Sequence, residues 1–284
     1  MDVMEVRRED GSVIAVEVAG EPGAPAVLLC HGLADSRLSA DWFDEAARDL
    51  GVRVIAPDRP GTGGTDLRRM DRVADWAADA ARVLDAAGAS AAWLLGVSAG
   101  GAFAAACAAR MPGRVRGLTL VSPLGPPHWP TRGMAPGERL ALEVARRAPG
   151  FGARSLGGLA LLARRRPLLF LRLVTTELPE ADVRALRRPD LAESFRASYA
   201  EAFRRGSGGV AQDLRVLTRP WGFDLASITA PTLIRHGDAD TTVPLAHGRR
   251  YAEQIPGARL HVHAGHGHFS ILGAARDMLA PAAG

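Results

Sequence analysis

Short apolar runs alternate with helical patterns along most of the chain. Helical periodicity falls near residues 41–50, 71–87, 99–110, 246–254 and 269–279. The apolar runs predict eight β-strands, at residues 3–6, 13–18, 26–30, 52–56, 92–95, 115–121, 232–235 and 259–262. Because strands and helices alternate from Cys30 onward, we predict a mainly parallel sheet covered on both faces. The first two strands are separated by Asp10 and Gly11, which predicts an antiparallel hairpin.

This alternation stops after Ser122. Residues 123–222 contain about five helical segments broken by prolines, and no strand pattern appears until Phe223. An insertion between the sixth and seventh strands would lie over the C-terminal edge of the sheet, where open α/β sheets bind ligands. We therefore predict a core of residues 1–122 and 223–284 and a helical cap, or lid, of residues 123–222.

The composition is ordinary for a globular protein, but its charge is unevenly spread. The chain has 284 residues, which suits one large α/β domain with a sizeable insertion. All of its basic side chains are arginine, and residues 130–220 hold 17 arginines against 9 acidic residues. We interpret this surplus as a solvated helical surface, with steering of an anionic substrate as the alternative.

A leucine- and arginine-rich stretch, residues 156–174, allows two interpretations. It is either an amphipathic segment for a membrane surface or a cap helix that buries its leucines over an acyl pocket. Pro167 interrupts the stretch, which favours the cap helix.

Several classes of protein are excluded by what the sequence lacks. There is neither zinc-ligand spacing nor aromatic–basic interleaving, so we expect no nucleic-acid partner. The N-terminus is charged without an apolar segment, and the uncharged stretch 91–109 is mostly alanine and glycine, so we expect neither a signal peptide nor a membrane span. Cys30 and Cys107 are interpreted as core thiols. We therefore expect a cytoplasmic protein without metal or cofactor, whose oligomeric state stays open.

The strongest chemical signal is the G-x-S-x-G formed by Gly96, Val97, Ser98, Ala99 and Gly100. It joins an apolar strand to an alanine-rich helix. Small residues at such a turn expose the serine hydroxyl and aim backbone N–H groups at the atom it attacks. The motif alone is weak, because glycine and serine are common here, so its interpretation depends on partners elsewhere in the chain.

Those partners follow in an informative order. His31 and Gly32 come after the third predicted strand, an aspartate follows the seventh, and a histidine follows the eighth. The order Ser, Asp, His is that of the α/β-hydrolases and differs from other serine-triad folds. The chain therefore resembles the α/β-hydrolase superfamily, in its capped, serine esterase-like branch, over nearly everything outside the cap. The eight predicted strands match the sheet of that family.

The resemblance assigns roles to single residues. It implies that Ser98 is the nucleophile and that His268, rather than His266, is the base. The acid would be Asp240, which lies at the family's spacing before Val243 and Pro244, with Asp238 as the competing position. The carboxylate would accept a hydrogen bond from the histidine and fix its tautomer.

The same resemblance places an oxyanion hole on two backbone N–H groups. These are Ala99, directly after the nucleophile, and Leu33, in the loop after the third strand. His31 is interpreted as a residue that orders this loop, and Asp58 and Arg59 as residues that tie neighbouring loops together.

Together these features predict a serine hydrolase that cleaves an ester, lactone or thioester of a small molecule through an acyl-enzyme. Two alternatives use the same triad: a carbon–carbon bond hydrolase and a biosynthetic cyclase. A third is a non-catalytic ligand-binding member of the fold. The acyl group, the leaving group and cap movement are not readable from the sequence.

Overall fold

The computed structural model describes residues 2–284 and contains an eight-stranded sheet in the order β1-β2-β4-β3-β5-β6-β7-β8. The strands are β1 (Asp2–Arg7), β2 (Val13–Ala19), β3 (Ala26–Cys30), β4 (Arg53–Pro57), β5 (Ala92–Val97), β6 (Val115–Val121), β7 (Thr232–Gly237) and β8 (Arg259–His263). β2 is antiparallel to β1 and to β4, whereas the pairs from β4 to β8 are parallel. The predicted strands, hairpin and mostly parallel sheet are confirmed.

Eleven α-helices accompany the sheet within the described chain. Five flank it: α1 (Asp44–Leu50), α2 (Trp76–Ala86), α3 (Gly100–Arg110), α10 (Leu245–Gln254) and α11 (Ala275–Ala283). Six lie in the insertion: α4 (Pro136–Arg147), α5 (Pro149–Arg165), α6 (Pro167–Val174), α7 (Glu180–Leu186), α8 (Pro189–Ala202) and α9 (Gly208–Leu217). Three predicted helices, 41–50, 71–87 and 269–279, have 3₁₀ turns at or near their starts and are α-helical only afterwards.

In the centre of the sheet both faces are buried, and successive strand residues point to opposite sides. In β3, Leu28 joins the apolar cluster beneath α2 and α3, whereas Val27 and Leu29 join the cluster beneath α1 and α11. Every residue of β3 and β4 is buried. Central strands covered on both faces read as continuous apolar runs, which is why the sequence predicted them well.

The insertion has its own apolar cluster, built from small helix residues and a few aromatic rings. Ala145, Ala153 and Ala163 are almost fully buried between its helices, and the rings of Phe170 and Tyr199 lie 5.1 Å apart. Alanine at these positions lets the helices approach closely. The leucines of the stretch 156–174 are not uniformly buried, and some face away from this cluster.

Candidate active site

Ser98 lies at a tight turn between β5 and α3, with a backbone φ of +56°. A non-glycine residue in this left-handed region carries strain of roughly 1–3 kcal/mol and is common at functional turns. Glycine neighbours make the turn possible: a Cβ on Gly100 would lie 2.0 Å from the carbonyl oxygen of Cys30, and one on Gly96 would lie 2.8 Å from the Ala104 Cβ. The turn thus requires the glycines of the motif.

Hydrogen bonds hold the Ser98 backbone on both sides. Its N–H donates to the Val121 carbonyl at 2.9 Å, and its carbonyl accepts from Gly101 and Leu124, each at 3.0 Å. Gly32 lies close by, since a Cβ built on Gly32 would be 3.7 Å from the Ser98 Cβ. The strained turn therefore fixes the hydroxyl next to the loop that follows β3.

The two amides predicted for an oxyanion hole belong to this pair of loops. Leu33 directly follows Gly32, and Ala99 is the residue before the first turn of α3. Within residues 2–284, neither N–H donates to a protein acceptor, whereas the Gly32 N–H is used by the Asp35 carboxylate at 3.1 Å. Unused backbone donors beside a serine can stabilise a developing oxyanion.

Asp240 and His268 come together beyond the ends of β7 and β8. The Nδ1 of His268 donates to Oδ2 of Asp240 at 2.8 Å, and both side chains are buried. Oδ1 of Asp240 accepts the N–H groups of Thr242 and Val243 at 2.9 and 2.8 Å. With Nδ1 donating, Nε2 of His268 carries the lone pair that a general base requires. None of the hydrogen bonds of His268 within residues 2–284 reaches Ser98.

The electrostatics of this pair favour a charged histidine. Burial lowers the pKa of His268, but the negative charge and hydrogen bond of Asp240 raise it more, so the pKa lies above its usual value. The charges of Asp182 and Glu138 also raise this pKa. Burial alone would raise the pKa of Asp240, yet the charge of His268 and its hydrogen bond bring it below the usual value. An imidazolium formed during a reaction would be stabilised here.

The competing residues lie outside this pair. His266 is part-exposed, and its Nδ1 donates to the carbonyl of Ala264 at 3.0 Å. Asp238 is exposed and accepts the Gly265 N–H at 2.7 Å, so it joins the β7 and β8 loops. The contacts of Asp238 and His266 are those of turn residues.

A model of the alpha/beta hydrolase fold matches residues 25–275. The chain belongs to the alpha/beta hydrolase fold family. One relative is a 2-hydroxymuconate semialdehyde hydrolase of Pseudomonas putida, 33% identical over 77% of this chain and 71% of the relative. Another is a 2-hydroxy-6-oxo-2,4-heptadienoate hydrolase of the same species, 30% identical over 88% of this chain and 83% of the relative. The solved structure of a Rhodococcus esterase is 26% identical, with a TM-score of 0.70 over 98% of this chain and 96% of the esterase chain.

In this hydrolase-fold protein, a buried arginine orders the loop that carries Leu33. Arg59 donates to the carbonyls of His31 and Gly32 at 2.6 and 2.7 Å, and it pairs with Asp213 of α9 at 2.8 Å. His31 accepts the Arg59 N–H on Nε2 and donates from Nδ1 to the Gly32 carbonyl. Burial places the pKa of His31 well below its usual value, so it is a neutral ordering group.

Asp182, in the first turn of α7, is a site residue that sequence reasoning missed. Its buried carboxylate accepts the N–H groups of His268, Phe269 and Ser270 at 2.7, 3.0 and 2.7 Å, and the Ser270 hydroxyl at 2.7 Å. Gly267 must be glycine, because a Cβ there would lie 2.3 Å from the Asp182 carboxylate. In the sequence Asp182 looks like an ordinary acidic residue at a helix start, so no local signal distinguishes it.

A second contact of the insertion reaches the loop after β3. The hydroxyl of Ser198, on α8, donates to Oδ1 of Asp35 at 2.5 Å and accepts the Ser36 N–H at 3.1 Å. The other oxygen of Asp35 holds the Gly32 N–H. Side chains of the insertion therefore hold both the loop after β3, which lies beside Ser98, and the loop that carries His268.

A cavity of about 640 Å³ lies between the loop after β6 and helix α4. Its lining includes Leu124, whose N–H holds the Ser98 carbonyl, but neither Ser98 nor His268. Its wall is mainly apolar, with Trp129, Leu140 and Leu217. His247 closes one side with a fixed tautomer, since Nδ1 accepts the Gly125 N–H at 2.9 Å. Within residues 2–284, no cluster of His, Cys, Asp or Glu side chains has the arrangement of a metal site.

Proposed function

We propose that this protein is a serine hydrolase that cleaves an ester-type bond of a small molecule, in a carboxylic ester, lactone or thioester, through an acyl-enzyme. The observation that carries the proposal is Ser98 in a left-handed backbone conformation beside two unused backbone donors. A serine fixed in such a strand-to-helix turn has its hydroxyl exposed for attack.

In the proposed mechanism, Ser98 Oγ attacks the substrate carbonyl while Nε2 of His268 takes its proton. The N–H groups of Leu33 and Ala99 stabilise the oxyanion, and the tetrahedral intermediate collapses as His268 protonates the leaving group. Water then attacks the acyl-enzyme with His268 again as base, which releases the acid and restores Ser98. The Ser98–His268 hydrogen bond would form on substrate binding, as such bonds are often long in free enzymes.

Two carboxylates have different tasks in this mechanism. Asp240 hydrogen-bonds Nδ1 of His268, so it holds the tautomer and stabilises the imidazolium. Asp182 is a positioning residue, because it binds the backbone of the histidine loop rather than the imidazole ring. Its negative charge near His268 also favours the protonated form of the ring.

The insertion is proposed to be the cap of this enzyme, with the core formed by residues 1–122 and 223–284. Support comes from its contacts with the loops around Ser98 and His268, made by Ser198 and Asp182. The mainly apolar cavity beside α4 is suited to the hydrocarbon part of a substrate.

A second candidate is carbon–carbon bond hydrolysis with the same residues. It is supported by the two Pseudomonas putida relatives, which are hydrolases of a 2-hydroxymuconate semialdehyde and of a 2-hydroxy-6-oxo-2,4-heptadienoate rather than of an ester. The similarity to the Rhodococcus esterase supports ester hydrolysis.

The test compares both substrate classes on one preparation. We would measure kcat/KM for p-nitrophenyl esters of graded acyl length and for 2-hydroxy-6-oxo-2,4-heptadienoate, with the Ser98→Ala variant as blank. Serine-dependent ester turnover, with a preferred chain length and a higher kcat/KM than the dienoate, is the expected result. A preference for the dienoate would replace the ester proposal by the second candidate. Folded protein inactive on both would contradict the proposal.

A further inference from the structure

One part of the insertion carries positive charge without any acidic residue. Residues 144–176 contain no Asp or Glu and seven arginines, namely Arg146, Arg147, Arg154, Arg164, Arg165, Arg166 and Arg172. Arg146 and Arg147 pair with Glu143. The other five are exposed, and none has a carboxylate oxygen within 4.0 Å in the described chain. The positive charge of these five arginines is therefore uncompensated.

The same segment exposes large apolar side chains. Nine large apolar residues are exposed within residues 2–284, and five of them belong to α5 and α6. These five are Phe151, Leu161, Leu168, Leu169 and Leu173, with exposed fractions of 64, 49, 83, 48 and 50%. Clustered exposure of this kind marks an interaction surface, whereas single exposed leucines are normal.

Helical spacing puts the two kinds of side chain together. On α5, Phe151, Arg154, Leu161 and Arg165 recur at intervals that share one helix face, opposite the buried Ala153 and Ala163. On α6, Leu168, Leu169, Arg172 and Leu173 lie opposite the buried Phe170. We call these eight side chains, together with Arg164 in the last turn of α5 and Arg166 between the two helices, the arginine–leucine face.

We propose that the arginine–leucine face docks on the surface of an anionic lipid bilayer. Its leucines and Phe151 would enter the headgroup region, and its arginines would bind lipid phosphates, which the planar guanidinium holds by paired hydrogen bonds. Exposed apolar residues combined with uncompensated arginines fit that partner in both hydrophobicity and charge. No helix within residues 2–284 is long and apolar enough to cross a membrane, so the docking would be peripheral.

Charge also argues against the nearest alternative, a second copy of this chain. In a two-fold dimer the same patch meets itself, so the unpaired arginines of one subunit would face those of the other. Like charges brought together in this way disfavour association, whereas an anionic bilayer neutralises them.

Vesicle co-sedimentation tests the proposal. The full chain is mixed with phosphatidylcholine vesicles with or without phosphatidylglycerol, at low and high salt. We expect at least about fivefold more protein bound to the anionic vesicles, and release by salt. Leu168→Ser/Leu173→Ser and Arg165→Gln/Arg172→Gln should each reduce binding about fivefold, while Val3→Ser, at an exposed apolar residue of β1, should bind as wild type.

Three outcomes would overturn the proposal. They are no sedimentation of the wild type with either vesicle, equal binding to neutral and anionic vesicles, and a wild-type dimer in light scattering that Leu168→Ser/Leu173→Ser dissociates. Thermal unfolding of each variant, matched to the wild type, ensures that lost binding reflects the surface and not the fold. The assay needs no substrate, so its result is independent of the proposed hydrolysis.

Discussion

The sheet core and the helical insertion bury different kinds of residue. In the core, β3 and β4 are buried along their whole length, with large aliphatic side chains such as Leu28 and Ile55. The insertion buries mainly alanine and a few aromatic rings, and it leaves six of its large apolar residues in solvent, five of them on α5 and α6. The core is therefore held by its own apolar packing, whereas the insertion relies more on contacts with other parts of the molecule.

Several of those contacts are polar and end on the loops around the candidate site. Asp182 binds the His268 loop, Ser198 binds the loop after β3, Glu201 pairs with Arg37, and Asp213 pairs with Arg59. In the proposed mechanism the core therefore supplies the reacting groups, and the insertion supplies side chains that position their loops. Substitutions in the two regions should therefore have different effects on activity.

The largest effect is expected in the core, at Ser98. Ser98→Ala should lower kcat by at least about 10³-fold with little change in thermal unfolding, because the nucleophile acts as a unit with its base. Ser122→Ala is a matched control, since Ser122 also follows a strand at positive φ and has a buried hydroxyl without a partner in the described chain. Esterase assays that found equal losses for the two variants would remove Ser98 from its role.

Substitutions of the two neighbouring histidines, His268 and His266, should differ almost as widely in their effects on kcat. His268→Ala should cost about as much as Ser98→Ala, because the serine is a poor nucleophile without its base. His266→Ala should change kcat less than about threefold, since among residues 2–284 its ring hydrogen-bonds only the nearby carbonyl of Ala264. Reversed losses would move the base to His266.

Asp240→Asn should lower kcat on the order of 10²–10⁴-fold, because the amide favours the wrong tautomer of His268. Asp238→Asn should have a much smaller effect, since its exposed carboxylate joins two loops and does not reach His268. Steady-state kinetics of the two variants would check this, and comparable losses would leave the acid unassigned.

In the insertion, Asp182→Asn should lower kcat/KM about tenfold, because an amide oxygen cannot replace all four hydrogen bonds of the carboxylate. It should also move the acid limb of the pH–rate profile. The base must be neutral and its pKa is raised, so activity falls as the pH drops through that pKa. Removing the nearby negative charge lowers the pKa and shifts the limb to lower pH.

Glu180→Gln is the control for this prediction, since Glu180 lies on the same helix and, in the described part of the chain, pairs only with the exposed Arg184. It should leave both the rate and the acid limb unchanged. If Asp182→Asn lowered the rate without moving the limb, its role would be structural and its charge would not tune His268.

A smaller effect on activity than that of Asp182→Asn, but a large one on stability, is expected at Asp213. Asp213→Asn leaves Arg59 buried without its charge partner, which should lower the free energy of unfolding by about 3 kcal/mol. Glu193→Gln, at a surface pair with Arg196, should change it by less than about 1 kcal/mol. Urea unfolding of both variants measures the difference, and equal midpoints would show that the Arg59 pair does not fasten the insertion.

The sequence predicted the core better than the insertion for a physical reason. Strands buried on both faces are continuous apolar runs, and the turn at Ser98 requires glycines that are visible in the motif. The contact of Asp182 with His268 joins residues 86 positions apart and depends on how α7 packs. No local pattern encodes such a contact, so the assignment of Asp182 required the structure.

Burial of the leucines in residues 156–174 was unpredictable for a related reason. Periodicity tells which residues share a helix face, but not whether another element covers that face. The interruption at Pro167 favours a buried cap helix, and Pro167 does begin a new helix, α6. Leu168 and Leu173 on that helix nevertheless remain exposed.

The central claim is that Ser98 forms a covalent acyl-enzyme, and intact-mass analysis with a fluorophosphonate probe tests it most directly. We expect one adduct on the wild-type chain, none on Ser98→Ala, and a labelled peptide that contains Ser98. Asp240→Asn should label more slowly, because its base is misoriented. Labelling of Ser98→Ala to the same extent as wild type, or no labelling of folded wild type, would contradict the account.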